Sequence, residues 1–312
     1  MSEEERLSER ISYGAFVTAE RAAMLLPEFV GRRLFDVAGL AAFHLASGAR
    51  RVVADNLGRV LGRPLDSPVV RATTKDAFRS YARYWYDTFR IRVLSEEEFR
   101  SRVRFVGLEN IERARGAGRG AVIALPHLGN WDVAGRYVVG SGMPVAAVAE
   151  LLRPERTFRL FLDHRRALGM DIVPLHDDRG VADELVRRIG ENEVIALVAD
   201  RDLKGRGVQV EMFGETRRMP AGPAMLSLFT GSPLLPAACY DLVDGWQVDI
   251  GEPLEIQRSG TMRADVTTLT RLLAKRFERS ISAAPTQWHM FQPAWDSSPT
   301  RDVGPAAAAA SP

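Results

Sequence analysis

Hydrophobic positions follow two regimes along the chain. Up to about residue 92 they recur at three- and four-residue spacing, which predicts helices over 11–26, 30–46, 50–61 and 73–92, with breaks near Pro27 and Gly48. Beyond that point short apolar runs take turns with helical stretches. Strands are expected at 104–106, 121–125, 145–149, 171–175, 194–199, 208–212, 234–240 and 247–250, and helices at 110–114, 131–139, 154–168, 181–189, 223–229 and 264–281. This alternation predicts an α/β fold, a central mostly parallel sheet flanked by helices, with a helical N-terminal layer. The expected organisation is one domain over 1–297, helical over 1–102 and α/β over 103–297, followed by a disordered tail at 298–312 rich in Ser, Pro and Ala.

Two stretches of the helical part have two readings each. In 11–62, Glu20, Arg21, Glu28, Arg32, Arg33 and Asp36 recur too often for a membrane span. These helices either cover the core or rest, apolar side down and arginines up, on an anionic bilayer. In 73–92, Phe78, Tyr81, Tyr84, Trp85, Tyr86 and Phe89 interleave with Arg79, Arg83, Arg90 and Arg92. That stripe is either core or an aromatic and arginine belt at a lipid headgroup or a sugar. The longest uncharged stretch, 219–240, is broken by Pro220, Pro223, Pro233 and Pro236, so no transmembrane helix is expected. The charged start Met1-Ser-Glu-Glu-Glu-Arg6 lacks the pattern of a signal peptide.

Composition narrows the classes. A hydrophobic fraction of 46% in 312 residues allows a sizeable core. A net charge of +2 is too mild to predict nucleic-acid binding. The single cysteine, Cys239, lies in an apolar run and has no disulfide partner in the chain, so a structural role is expected. Four further histidines (His44, His164, His176 and His289) stand at no ligand spacing from His127, so no metal site is expected.

The candidate chemistry begins where the apolar run 121–125 stops at Pro126. His127 follows at once, at the C-terminal end of a buried strand, where α/β folds place their reactive groups. Gly129 permits a tight turn, Asn130 is a good N-cap, and Asp132 falls in the first turn of the helix that follows. Across such a turn His127 and Asp132 can meet, giving an imidazole held by a carboxylate, the core of a general base. The plain alternative is a structural histidine capping a strand end. The chain has no G-x-S-x-G elbow and no reactive cysteine setting. A base without an enzyme nucleophile suits a substrate hydroxyl that itself attacks an activated electrophile such as a thioester.

Further charged groups sit at other strand ends. Asp200, Arg201 and Asp202 follow a second buried strand and lead into a basic glycine loop and an expected hairpin. Lys204, Arg206, Arg217 and Arg218 form a candidate phosphate cluster there, the alternative being a solvated hairpin with ordinary salt bridges. Met219-Pro-Ala-Gly-Pro223 then opens an apolar helix whose free N–H groups favour an anion. Glu150 ends a third strand, and Arg165 is the arginine of the following helix expected to point inward.

Taken together, Leu125-Pro-His-Leu-Gly-Asn-Trp-Asp132, Val148-Ala-Glu-Leu-Leu-Arg-Pro-Glu155, Leu197-Val-Ala-Asp-Arg-Asp202 and Phe213-Gly-Glu-Thr-Arg-Arg-Met-Pro-Ala-Gly-Pro223 resemble the lysophospholipid acyltransferase-like superfamily over roughly residues 10–295. The similarity is closest to the branch that holds the bacterial lipid A late acyltransferases and the phosphatidylinositol mannoside acyltransferases, and the histidine and aspartate motifs look like the mannoside enzymes. The resemblance implies acyl-CoA as donor substrate, commonly palmitoyl, with no cofactor and no metal. It implies a mannose hydroxyl of a phosphatidylinositol mannoside glycolipid as acceptor, and a peripheral enzyme on the cytoplasmic side of the cell membrane. The family histidine and aspartate map onto His127 and Asp132. A further acidic residue near the base is Glu150, Asp200 or Asp202.

The expected mechanism has His127 as base and Asp132 fixing its tautomer. Backbone N–H groups, Arg165 or Arg206 face the oxyanion, and the basic loop around Arg206 meets the CoA phosphates. Alternatives are a lipid A-type enzyme fed by acyl carrier protein, a non-catalytic lipid-binding protein of the membrane surface, and a hydrolase passing acyl groups to water.

Overall fold

The computed structural model describes residues 7–150, 155–175, 178–202 and 205–298. Four helices come first, α1 (Leu7–Leu25), α2 (Glu28–Leu45), α3 (Ser47–Val60) and α4 (Pro68–Arg90), then a 3₁₀ turn and α5 (Glu96–Ser101). The break expected at Gly48 falls two residues earlier, where Ala46 leaves the helical region at φ −91° and ψ 69°. Helix α4 starts five residues before its expected 73, because Ser67 accepts from the Val70 N–H and Pro68 takes the first helical position. α5 is too short for its period to show in the sequence.

The α/β part runs β1 (Val103–Val106), α6 (Leu108–Gly116), β2 (Ala121–Leu125), α7 (Trp131–Gly140), β3 (Val145–Glu150), α8 (Glu155–Ala167), β4 (Asp171–Leu175), α9 (Asp178–Gly190) and β5 (Val194–Val198). It continues with β6 (Val208–Met212), β7 (Glu215–Met219), α10 (Gly222–Thr230), β8 (Leu234–Leu242), β9 (Gly245–Ile250) and α11 (Met262–Ala283). Among the described residues seven strands form one sheet in the order β1-β9-β8-β2-β5-β3-β4. All neighbours are parallel except β8 and β9. The fold is therefore the expected mostly parallel α/β sheet flanked by helices. β6 and β7 stand apart as an antiparallel hairpin. They form the hairpin expected after the glycine loop, whose second strand, the mostly polar Glu-Thr-Arg-Arg-Met, had no bounds of its own in the sequence pattern.

β2 lies in the middle of the sheet and is buried along its whole length. Its side chains alternate between two cores. Val122 and Ala124 pack in the cluster that contains Leu273 and Phe277 of α11, whereas Ala121, Ile123 and Leu125 pack with Trp131, Val133 and Val138 of α7. The buried Val122, Ile123 and Leu125 side chains each contribute about 1.5–3 kcal/mol. A slip of one residue would exchange the two faces, so two-sided packing pins the register that positions the site.

The aromatic stripe of α4 is core. Tyr84, Trp85, Tyr86 and Phe89 cluster with Ala23, Phe35 and Phe161, and Phe78 clusters with Phe43, Leu57 and Phe291. Its interleaved arginines find partners within the helical layer, Arg79 and Arg83 both pairing with Asp36. α2 approaches α4 closely at Gly39, where a Cβ would lie 2.7 Å from the Phe78 carbonyl. No helix among the described residues is long and apolar enough to cross a membrane. Ser298, expected to open a disordered tail, instead donates from Oγ to Asp55 at 2.7 Å. Residues 299–312, the rest of that tail, lie outside the described residues.

Candidate active site

Parallel pairing of β2 with β5 sets Leu125 opposite Val198. The ladder runs one bond further, with the Ala199 N–H donating to the Leu125 carbonyl at 2.8 Å. Two residues beyond each strand end stand His127 and Asp200, and this equal offset brings them together. His127 Nδ1 meets Asp200 Oδ1 at 2.5 Å, and the His127 backbone N–H donates to Asp200 Oδ2 at 3.1 Å. The segment after α11 returns along the same loop. His289 N–H donates to the His127 carbonyl at 2.7 Å, and Trp288 Nε1 donates to Asp200 Oδ2 at 2.8 Å. Gly129 lets the His127 loop lie against β8, since it has φ +60° and a Cβ there would sit 2.2 Å from the Cys239 carbonyl.

These contacts keep the Asp200 carboxyl ionised. Burial alone would raise the Asp200 carboxyl, but the neighbouring imidazole, its hydrogen bond, the Arg217 charge and the Trp288 N–H together bring it down to about 2. An ionised carboxylate on Nδ1 selects the tautomer with its proton there, so a neutral ring carries its lone pair on Nε2. Nε2 has no hydrogen-bond partner among the described residues, and His127 is 7% exposed. The second nearby histidine, His289, faces Ser80 Oγ at 3.1 Å from its Nε2. Burial, and then the proximity of His127, push it down to about 3, so it is neutral.

The expected His127–Asp132 pair does not form. Asn130 does cap α7, its side chain accepting from the Asp132 N–H at 3.1 Å while donating to Thr88 Oγ1 at 3.1 Å. The Asp132 carboxylate turns instead to α8 and accepts from Arg165 Nε at 3.0 Å. The physical reason is that the imidazole nitrogen is already taken by Asp200, while a guanidinium buried to 5% exposure needs a counter-ion. Arg165 is inward, as expected, and lies over the Trp131 ring at 4.1 Å. Asp132 Oδ2 and both ring nitrogens of His164 are buried with no hydrogen-bond partner among the described residues.

The remaining sequence candidates separate. Glu150 pairs with Arg201. Asp202 accepts from the Gly207 N–H at 2.7 Å and so shapes the hairpin loop. Arg206 and Arg218 are exposed on that hairpin, Arg218 reaching the Gly207 carbonyl at 3.3 Å. Arg217 cannot belong to a phosphate cluster, because it is 1% exposed and bonded to the Asp200 backbone carbonyl. Lys204 lies outside the described residues. Sequence reasoning missed Trp288, which no local pattern marks, and it left Asp200 unranked among three acids. The one available signal was that two buried runs each carry a polar residue two positions past their end.

A cavity of about 30 Å³ opens between the sheet and α7, lined by Leu125, Trp131, Gly135, Val138, Met170 and further apolar side chains. Leu125 and Trp131, which stand on either side of the His127 loop in the chain, are among its lining residues, whereas His127 and Asp200 are not. A base with a free Nε2, a buried cation close to the same loop, and an apolar recess suit proton removal from a hydroxyl beside a long apolar group.

Comparison with known proteins points the same way. The family model described as bacterial lipid A biosynthesis acyltransferase matches residues 5–297. The chain is 38% identical over 299 residues to the phosphatidylinositol mannoside acyltransferase of Mycolicibacterium smegmatis, covering 93% of this chain and 95% of that one. It is also 38% identical over 287 residues to that of Mycobacterium tuberculosis, covering 90% and 87%. The lipid A biosynthesis acyltransferase of Haemophilus influenzae is 20% identical over 213 residues, 68% of this chain and 64% of that one. Matched almost from end to end by the family model, the chain belongs to the bacterial lipid A biosynthesis acyltransferase family and is an acyltransferase.

Proposed function

We propose that the protein moves a fatty acyl group, palmitoyl by preference, from acyl-CoA to a mannose hydroxyl of a phosphatidylinositol mannoside, working as a peripheral protein on the cytoplasmic side of the cell membrane. The observation that carries this reading is the His127–Asp200 pair at the C-terminal ends of β2 and β5, with no partner on Nε2 among the described residues. Nε2 takes the hydroxyl proton as the oxygen attacks the thioester carbonyl carbon. Asp200 holds the Nδ1–H tautomer and stabilises the imidazolium that forms. The tetrahedral intermediate expels the CoA sulfur, which takes the proton back from Nε2, leaving an ester and free CoA. Arg165, held by Asp132, is the cation assigned to the developing oxyanion, and losing one such donor typically costs about 10²–10³ in kcat.

The acyl chain enters the cavity beside Trp131. Its present volume holds roughly two or three methylenes, so Met170, the most flexible lining side chain, has to swing aside for a full chain. Burial then contributes about 0.8 kcal/mol per CH₂. The exposed Arg206 and Arg218 are assigned to the CoA phosphates. Contact with the bilayer is assigned to Leu25, Phe29 and Val243, which are 80%, 78% and 83% exposed. They lie near one another, since Arg32 of α2 donates to the Val243 carbonyl at 3.0 Å.

The test is CoA release from palmitoyl-CoA with and without phosphatidylinositol mannosides, with mass analysis of the lipid. The expected result is acceptor-dependent release and a product heavier by one acyl chain. The family description favours a second reading, transfer from acyl carrier protein to a lipid A precursor. Activity that requires the carrier protein would select it. Release without any acceptor would indicate a hydrolase, and vesicle binding without any turnover would indicate a lipid-binding protein.

A further inference from the structure

Asp200 is fully buried, and a carboxylate in that position needs a positive partner. Two groups can supply the charge. One is His127, which would have to be protonated to do so. The other is Arg217, whose guanidinium is charged at every working pH. Arg217 sits on β7 opposite Val210 of β6. The strand alternates, with Thr216 and Arg218 outside and Arg217 and Met219 inside. Its Nη2 donates to the Asp200 backbone carbonyl. The guanidinium lies between two indoles, 5.7 Å from the Trp288 ring and 5.2 Å from the Trp295 ring. Trp288 is also the donor to the Asp200 carboxylate, so one indole contacts both charges. Nε and Nη1 of Arg217 have no hydrogen-bond partner among the described residues, so the charge is the main feature of a buried arginine here.

We propose that Arg217 is the resting counter-ion of the His127–Asp200 pair, neutralising Asp200 so that His127 stays unprotonated and available as a base. Without that cation, the cheapest way to compensate the buried carboxylate is to place a proton on His127, which removes the lone pair that catalysis needs. Arg217 is thus a positioning residue acting through Asp200, and it touches no substrate. The other groups around the pair do not take over this task. His289 is neutral, and burial pushes the Tyr81 and Tyr84 hydroxyls up so that they stay protonated. Arg201 is engaged with Glu150. Asp296 carries a negative charge and also favours the charged form of Arg217.

The inference rests on His127 being the base, and its test reads the charge of His127 separately from turnover. Full-length Arg217→Met and Arg217→Lys are compared with the wild type by NMR titration of ¹⁵N-labelled imidazoles and by the pH profile of kcat/KM. In Arg217→Met, His127 should take up its proton at least about one pH unit higher, and the acid limb should move with it. The rate then falls about tenfold on the acid side and recovers at alkaline pH. Arg217→Lys should keep the wild-type limb. A Met variant slowed equally at all pH values with an unmoved titration, or a Lys variant shifted as far as the Met variant, overturns the proposal. If Arg217→Met does not fold, the wild type decides: His127 must be neutral with its proton on Nδ1 at pH 7, and a doubly protonated ring overturns the proposal. Turnover retained by His127→Ala would instead sink the base assignment.

Discussion

Replacing Asp200 by Asn separates the two carboxylates that compete for the role of orienting the base. In the wild type Oδ2 accepts two N–H donors, from the His127 backbone at 3.1 Å and from Trp288 Nε1 at 2.8 Å, while Oδ1 faces Nδ1 at 2.5 Å. An asparagine has one oxygen to offer. Turning its NH₂ toward the two N–H donors would leave two buried donors unpaired, at about 1–3 kcal/mol each. The oxygen therefore stays with them, and the NH₂ faces Nδ1. The ring must answer with a lone pair at Nδ1 and its proton on Nε2, the tautomer that cannot act as a base. The expected fall in kcat is about 10⁴-fold, or about 5.5 kcal/mol. Arg217 loses its counter-charge at the same time, so stability should also drop, by about 3–5 kcal/mol. The assay is acceptor-dependent CoA release, run well below the variant's midpoint with near-UV circular dichroism to confirm the fold. Asp132→Asn is the control, since it keeps an oxygen for Arg165 Nε and leaves the His127 tautomer alone. An Asp200→Asn enzyme within tenfold of wild type, or an Asp132→Asn enzyme that loses more, refutes this assignment.

Asp132→Ala strands the buried Arg165 guanidinium, and chemical denaturation should show a loss of about 3–5 kcal/mol; a loss under about 1 kcal/mol contradicts the pairing. Gly135→Val fills the cavity, because even a Cβ at 135 would sit 2.1 Å from Met170 Sδ. Turnover of palmitoyl-CoA should collapse while acetyl-CoA turnover survives, and an equal loss at every chain length would separate the cavity from the reaction. Burial pushes the Asp87 carboxyl up to about 6 and that of Asp241 to about 7, with Asp87 adding to the latter. The native state thus holds protons that the unfolded chain releases near pH 4, and stability from these groups declines between about pH 4 and 7. Asp87→Asn should raise the melting temperature at pH 8 but not at pH 4; an equal change at both would show that the carboxyl is not the cause.

Much of the frame was legible in the sequence because it is local. The run 121–125 is the strand it reads as, bounded by the proline that ends it, and Asn130 caps the next helix because its side chain reaches an N–H two residues away. The alternation of short apolar runs with helical periods was enough for the mostly parallel α/β sheet and its helical layer. What the tertiary structure alone decided is who meets whom. Asp200 reaches His127 because β5 lies beside β2, although β3 and β4 come between them along the chain. Trp288 arrives from the far end of α11, and Arg217 turns inward because the hairpin packs with that parity. Asp132, five residues from His127, was the near and natural partner, and it lost to a carboxylate 73 positions away. Strand order follows from burying both faces of every central strand at once, a requirement of the whole core that no local spacing records.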